Sequence, residues 1–238
     1  MIFSFKDAAY ADLRNIKPPH DEKTYQLFVG NSVDNLIDVT DALPGFEKLN
    51  VKLRKSKSTV TQKMLDVMQL KENEFHTICH GDMWANNVMF QHNKSGHVDK
   101  VLFVDFQICG WNSPVFDLMH SLCTSSGENI CEQDWDEIIA HYHKNLTRTL
   151  IALKYKQTIP SLADIKKQIL EKNICAALIG VLCVGVRKLE NVGDAGVEMF
   201  MRTGDADRRE RFEMVMKQTC RKSVEFLLGY IDRNVDLN

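Results

Sequence analysis

The sequence of 238 residues is poor in the residue patterns that mark linkers, zinc ribbons and disulfide frameworks. It holds five prolines and seven cysteines, and no two cysteines form a C-x-x-C pair. A proline-rich linker, a zinc ribbon and a disulfide-bonded scaffold are therefore excluded as its organising feature. An odd number of thiols in a chain of this length indicates a cytoplasmic protein whose cysteines stay reduced.

Net charge is also nearly absent, because 30 Lys and Arg side chains face 32 Asp and Glu side chains, which leaves −2. Without a strong field of one sign, neither nucleic acid nor an anionic membrane is an expected partner. The longest apolar run, residues 174–186, has 13 residues, whereas a helix that crosses a bilayer needs about 20. This run is predicted to be a buried core helix.

Apolar residues at three- and four-residue steps predict that most of the chain is helical. Two helices show the pattern of an N-terminal capping box, Thr59 with Gln62 and Ser161 with Asp164. A continuous apolar stripe predicts one final helix over about 207–232.

The segment 76–106 departs from the helical pattern. Residues 76–79, 87–91 and 98–104 have the composition of short strands, and a turn at 93–96 joins the last two. The predicted fold class is therefore α+β, predominantly α-helical, with small β-hairpins.

Three polar residues in this segment have an order that favours catalysis. Asp82 and Asn87 lie on the loop between the first two strands, and Asp105 ends the third strand. The order D-x-x-x-x-N, hairpin, strand and Asp is that of the catalytic and metal-binding segments of protein kinases. A Gly-Asp turn is ordinary by itself, but the joint spacing and order favour phosphoryl transfer over chance turn chemistry.

Phosphoryl transfer explains why these residue types are needed. A hydroxyl nucleophile needs a carboxylate to orient it and accept its proton, which fits Asp82. Mg²⁺ prefers oxygen ligands and keeps positions for water and nucleotide phosphates, which fits Asn87 and Asp105. Gly81 would let the backbone turn tightly beside the base. ATP, as phosphoryl donor, and Mg²⁺ are the expected cofactors.

Residues 80–90 (HGDMWANNVMF), 104–107 (VDFQ) and 113–118 (SPVFDL) resemble the CHK kinase-like, or ecdysteroid kinase-like, family. This family is similar to aminoglycoside phosphotransferases and to choline and ethanolamine kinases. The resemblance implies a protein-kinase-like fold. Its motifs lie between residues 80 and 118, and it is expected to cover residues 1–238 as a single kinase-like C-terminal lobe.

The resemblance also supports the roles of the base and of the two metal ligands, and it implies further ones. Asp117 would be a structural carboxylate that braces the catalytic loop from behind, together with His80 and Gly81. Gln107 stands where protein kinases have Gly, as is usual for this group. Trp84 and Gln107 are candidate contacts for substrate or nucleotide, although packing is the ordinary role of a Trp side chain.

An N-terminal lobe is expected to be missing. In the family that lobe is a twisted sheet with a nucleotide-covering loop and a strand Lys. The only glycines in residues 1–75 are Gly30 and Gly45, and the segment contains no V-A-I-K-like strand. We therefore expect weak binding of Mg·ATP, little turnover by this chain alone, and self-association through the surface that the lobe normally covers.

Two functions of different classes follow. The first is an ATP-dependent kinase that phosphorylates a small-molecule alcohol, such as an ecdysteroid-like hydroxyl compound. The second is a non-catalytic pseudokinase or small-ligand-binding protein, which the missing lobe favours and the intact polar set opposes. A metal-dependent hydrolase is weaker, because no His-rich cluster accompanies the Asp residues.

Overall fold

The computed structural model describes residues 22–125, 127, 129–187 and 197–237. The first 21 residues of the segment searched for an N-terminal lobe lie outside this range. The described part is predominantly helical, as predicted. Its helices are α1 (Glu22–Ala42), α2 (Glu47–Ser56), α3 (Val60–Val67), α4 (Val115–Ser125), α5 (Glu132–Ala152), α6 (Leu162–Lys172), α7 (Ile174–Arg187), α8 (Val197–Met201), α9 (Asp205–Val215) and α10 (Arg221–Asn234).

Two small antiparallel sheets interrupt the helices. Strand β1 (Thr77–Cys79) pairs with β4 (Gly110–Asn112), and β2 (Val88–His92) pairs with β3 (Val98–Phe103). The sequence predicted β1, β2 and β3 but not β4. Because β1 pairs with β4, the chain between them leaves this sheet and returns to it. That part of the chain consists of the loop after β1, the β2–β3 hairpin and the segment after β3.

Helix α7 is the centre of the core. Eleven of its 14 residues are buried, and it packs against α1, α4, α9 and α10. Gly180 lies so near α4 that an added Cβ would be 2.9 Å from Cβ of Cys123. The prediction of a buried helix at 174–186 is confirmed. No single helix in the described ranges is long and apolar enough to cross a bilayer; α6 and α7 meet that test only together, with a bend of 68° between them.

One of the two predicted capping boxes is present. Ser161 Oγ accepts a hydrogen bond from Asp164 N at 3.1 Å, and Asp164 Oδ2 accepts one from Ser161 N at 2.8 Å. The box at Thr59 is wrong, because the Thr59 side chain makes no capping bond and Gln62 Nε2 donates to Asp66 instead.

The predicted final helix at 207–232 is two helices. Helix α9 ends at Val215, Lys217 is extended with φ −55° and ψ 141°, and a 3₁₀ turn at Gln218–Cys220 leads into α10. The apolar stripe continues through the break because α9 and α10 both pack on α7.

The β2–β3 hairpin stands apart from the core. All six residues of β3 are exposed, and so are four of the five residues of β2. A two-stranded hairpin without further packing is only marginally stable in water, and here large apolar side chains on both strands face solvent.

Candidate active site

The loop after β1 turns sharply at Gly81. This residue has φ +88°, and a Cβ added to it would lie 2.4 Å from the carbonyl oxygen of Ile108. Only glycine fits both the left-handed conformation and the close approach of that backbone. The turn brings residues 80–82 against the segment that follows β3.

The carboxylate of Asp117, in the first turn of α4, holds this turn from behind. Its Oδ2 accepts a hydrogen bond from His80 N at 2.6 Å, and its Oδ1 accepts one from Gly81 N at 2.9 Å. Bonds from backbone N–H groups to an ionised carboxylate are stronger than neutral ones. Two successive backbone amides are thus fixed by one side chain.

His80 links the loop to the end of β3. Its Nε2 lies 2.8 Å from the carbonyl oxygen of Val104, and its Nδ1 accepts a hydrogen bond from Asp82 N at 3.3 Å. A neutral ring with the proton on Nε2 satisfies both contacts. Because Val104 directly precedes Asp105, the buried His80 ring sets the position of the predicted metal ligand relative to the loop.

Asp82 and Asn87 are in direct contact. Asn87 Nδ2 donates to the carbonyl oxygen of Asp82 at 2.8 Å and to Asp82 Oδ2 at 2.9 Å. These two bonds fix the Asn87 amide so that its Oδ1 points away from Asp82. Asn87 is buried, whereas 31% of the Asp82 side chain is exposed, which leaves its carboxylate accessible from outside the protein.

The hairpin brings Asp105 beside Asn87. Val104 N donates to the Asn87 carbonyl oxygen at 3.0 Å, which extends the β2–β3 ladder by one residue, and Asp105 follows at once. Asp105 has φ +65°, a left-handed conformation that is uncommon for residues other than glycine and clusters at functional sites. Gln107 Nε2 donates to Asp105 Oδ2 at 3.3 Å.

This donor set fits a magnesium ion. A carboxylate and an amide oxygen are hard ligands, and their small number leaves positions for water and phosphate oxygens. Within the described ranges, no group of three or more His, Cys, Asp or Glu side chains is arranged to hold a metal ion. A zinc-type centre therefore has no support in that part of the chain.

The two predicted substrate contacts differ in their surroundings. Gln107 is exposed and contacts Asp105, whereas the Trp84 ring packs against the hydrophobic core. The Trp84 indole N–H is buried without a hydrogen-bond partner. The position of Trp84 thus agrees with the packing alternative.

The thiols near the loop are poor nucleophiles. Burial raises the pKa of the Cys79 thiol, and the negative charge of Asp117 raises it further. Its Sγ lies 3.4 Å from the carbonyl oxygens of Asn112 and Ser113. Burial likewise raises the pKa of Cys183, on α7, to about 12. Neither residue carries the thiolate that covalent catalysis needs.

Sequence reasoning missed His120. This residue lies three positions after Asp117 on α4, and its Nε2 is 3.6 Å from Asp82 Oδ1. Burial lowers the pKa of His120, while the charges of Asp82 and Asp117 act to raise it. The signal was the i, i+3 spacing from Asp117, which places both side chains on one face of the helix.

The comparison with protein families identifies the class of protein. A model of the ecdysteroid kinase-like family matches residues 6–155, which include the loop, the hairpin and α4. No curated protein matches the chain. The family implies a small-molecule kinase-like function with phosphotransferase activity, and kinases of this kind generally use ATP and Mg²⁺. The chain belongs to the ecdysteroid kinase-like family.

Proposed function

We propose that this protein is an ATP-dependent small-molecule kinase that transfers the γ-phosphoryl group to an alcohol, such as an ecdysteroid-like hydroxyl compound. One observation carries the proposal: Asn87 holds the Asp82 carboxylate while the hairpin ladder brings Asp105 next to Asn87. These contacts support a site in which a base, an amide oxygen and a second carboxylate act together at one end of the hairpin. Phosphoryl transfer needs positioning and charge neutralisation more than covalent chemistry.

Asp82 would act as the base. Its partly exposed carboxylate would accept a hydrogen bond from the acceptor hydroxyl and orient that oxygen towards the γ-phosphorus. It would take the proton as the new P–O bond forms, while the bond from the γ-phosphorus to the β–γ bridging oxygen breaks and ADP leaves with that electron pair. The bond from Asn87 to Asp82 Oδ2 keeps the carboxylate from rotating. The alcohol would thus be oriented by the Asp82 carboxylate, which is itself fixed by Asn87.

Asn87 and Asp105 would hold Mg²⁺ through Asn87 Oδ1 and the Asp105 carboxylate. When bound, the ion supplies positive charge that neutralises the phosphate oxygens of ATP. The residues around the ligands prepare this arrangement: His80 fixes Val104, and Gln107 holds one oxygen of Asp105.

We also propose that residues 1–238 correspond to the C-terminal lobe of a protein-kinase-like fold and that the protein acts in the cytoplasm. The seven cysteines suit that compartment, because those described are free thiols. In the described range before Thr77, the chain forms helices α1, α2 and α3 and no strand. Helices at these positions favour, as the second candidate, a pseudokinase that binds a small ligand without turnover.

The test is phosphate transfer from Mg·ATP to an ecdysteroid by the chain and by its Asp82→Asn variant. We expect slow transfer by the unsubstituted chain and a loss of about 100-fold or more in the variant. Asp99→Asn is the matched control, since Asp99 is an exposed carboxylate on β3 and should leave the rate unchanged. Equal rates with and without the Asp82 carboxylate would leave the pseudokinase ahead.

Binding of the nucleotide separates the two candidates further. We expect a dissociation constant for Mg·ATP well above the low micromolar range, because no glycine-rich loop is present in residues 22–75 to cover the phosphates. Titration calorimetry measures it directly, and a low micromolar constant would contradict this expectation.

We further propose that the exposed hairpin binds a second copy of this chain. In the described ranges the sheet has only two strands, so both of its edges are open. Its large exposed apolar side chains, together with Phe106 just after β3, are Met89, Phe90, Val98, Val101, Leu102 and Phe103. Open edges flanked by apolar side chains pair readily with another strand, and a two-fold axis lets one hairpin meet its own copy.

A further inference from the structure

The described part of the chain places a titratable side chain, His120, beside the proposed base, and this residue has no part in the mechanism above. It lies on α4 one turn after Asp117, and only 20% of its side chain is exposed. Helix α4 is itself fixed, because it packs tightly on α7 and because Asp117 binds the loop backbone. The imidazole is therefore presented to Asp82 by a rigid element.

The two oxygens of the Asp82 carboxylate have different neighbours. Oδ2 accepts the hydrogen bond from Asn87 Nδ2 at 2.9 Å, and Oδ1 faces His120 Nε2 at 3.6 Å. A direct hydrogen bond requires about 2.7–3.2 Å, and catalytic contacts in ligand-free proteins are often longer and tighten when substrate binds. The separation of 3.6 Å is thus close to hydrogen-bonding distance.

The charges around His120 select one tautomer. Asp82 and His80 face it from the loop, and Asp117 faces it from its own helix. On α7, Cys183 lies near Asp82 and Arg187 lies near Cys183. Burial lowers the pKa of His120, so the ring is neutral at pH 7. A neutral ring with its proton on Nε2 points a donor at Oδ1, whereas the other tautomer would set two lone pairs against each other.

We propose that His120 is a positioning residue, which donates its Nε2–H to Asp82 Oδ1 and so fixes the direction of the carboxylate that accepts the substrate proton. Asn87 and His120 then hold the two oxygens from opposite sides. The role in catalysis rests on the proposed kinase function; the contact itself does not. Loss of the donor leaves Oδ1 without this partner, and the carboxylate is then held by its bond to Asn87 alone.

The contact is tested by nuclear magnetic resonance on the metal-free chain. Ring ¹⁵N shifts of His120 should show the tautomer with the proton on Nε2. The midpoint of its pH titration should fall in Asp82→Asn, because the variant removes a negative charge that raises the pKa of His120. The ring ¹⁵N shifts of His143 at pH 7 serve as the control and should be the same in the variant, because its Nε2 contacts the Pro160 carbonyl oxygen. A proton on Nδ1, or an unchanged midpoint for His120, would overturn the proposal.

Activity gives the second measurement, with two replacements of His120. In His120→Leu we expect kcat to fall by about 10- to 100-fold with the KM for ATP unchanged, as expected when a reacting group loses its orientation. His120→Gln places an amide donor where Nε2 stood and should restore most of kcat. Equal activity of the Leu and Gln variants would contradict a positioning role. If the unsubstituted chain transfers no phosphate, the kinase function fails, and the resonance data still decide the contact.

Discussion

At the scale of single residues, Gly81 is the most constrained position of the candidate site. A side chain there meets two costs, the left-handed backbone and the collision with the Ile108 carbonyl oxygen. Gly96, in the hairpin turn, has φ +82° but nothing within 4 Å of an added Cβ. A substitution at Gly96 therefore measures the cost of the backbone conformation alone, whereas one at Gly81 adds the cost of the collision.

We predict that Gly81→Ala lowers the free energy of unfolding by about 2–3 kcal/mol, whereas Gly96→Ala lowers it by about 1 kcal/mol. Urea denaturation followed by tryptophan fluorescence measures both. Equal losses in the two variants would show that the Ile108 backbone moves away at no cost.

The candidate site was only partly predictable from the sequence. Asp82, Asn87 and Asp105 could be singled out because their order along the chain is set by the hairpin that joins them. His120 could not, because its nearness to Asp82 depends on how α4 packs against the loop. The i, i+3 spacing from Asp117 puts His120 on the same face of the helix, but this spacing does not show that the face meets Asp82.

At the scale of elements, a buried ion pair ties α6 to the segment before β1. Lys172 Nζ lies 3.0 Å from Glu74 Oε2 and donates to the Val67 carbonyl oxygen at 3.0 Å. Only 1% of the Lys172 side chain is exposed, and its ammonium group also lies over the Phe116 ring, 5.6 Å from the centroid. Removing one partner of such a pair leaves a buried charge without compensation.

We predict that Lys172→Met lowers the free energy of unfolding by about 3–5 kcal/mol. Lys167→Met is the matched control: Lys167 is on the same helix and pairs with Glu171 at 3.9 Å, but 76% of its side chain is exposed, so its loss should cost under about 1 kcal/mol. Chemical denaturation checks both values. A similar, small effect in the two variants would mean that Glu74 finds water when Lys172 is removed.

The hairpin makes the second prediction at this scale. Leu102, opposite Met89 in the ladder, is 62% exposed, and Ile151, on α5, is 63% exposed. We predict that the unsubstituted chain self-associates in light scattering and that Leu102→Lys shifts it towards monomer. Ile151→Lys should leave the association unchanged. It replaces an equally exposed apolar side chain by Lys, but on α5 and not on the hairpin. A monomer at all concentrations before any substitution would refute the proposed contact.

Elements were predictable from the sequence where local interactions decide them. The α7 run and the Ser161 cap are local, and both are present. Strand β4 was missed because three residues carry no periodicity, and its partner β1 lies more than 30 residues away. The break between α9 and α10 was missed because the apolar residues of both helices pack against the same core. The apolar stripe therefore does not show where α9 ends and α10 begins.

At the scale of the whole molecule, His76 makes stability depend on pH. Burial lowers the pKa of His76, the nearby Glu74 raises it, and Lys172 lowers it. In the folded state its pKa therefore lies below the ordinary value of about 6.5, which applies to the unfolded chain. As pH falls below about 6.5, the unfolded chain binds the proton first, and the folded state loses stability.

We predict that the free energy of unfolding declines from pH 7 to pH 5 and that His76→Gln makes this decline shallower. His141→Gln serves as the control, because His141 is exposed on α5. Denaturation curves at several pH values measure the slopes. Identical slopes for the unsubstituted chain and His76→Gln would show that other groups account for the acid sensitivity.

Helix α4 has one more consequence for how the site can be regulated. Asp117 grips the backbone of residues 80 and 81, and the next turn presents His120 to Asp82. Both side chains belong to the same helix. A shift of α4 along its axis would therefore weaken the Asp117 hydrogen bonds and change the orientation of the Asp82 carboxylate together. We therefore expect a mutation in the α4–α7 interface to affect both contacts together, although it lies away from the loop.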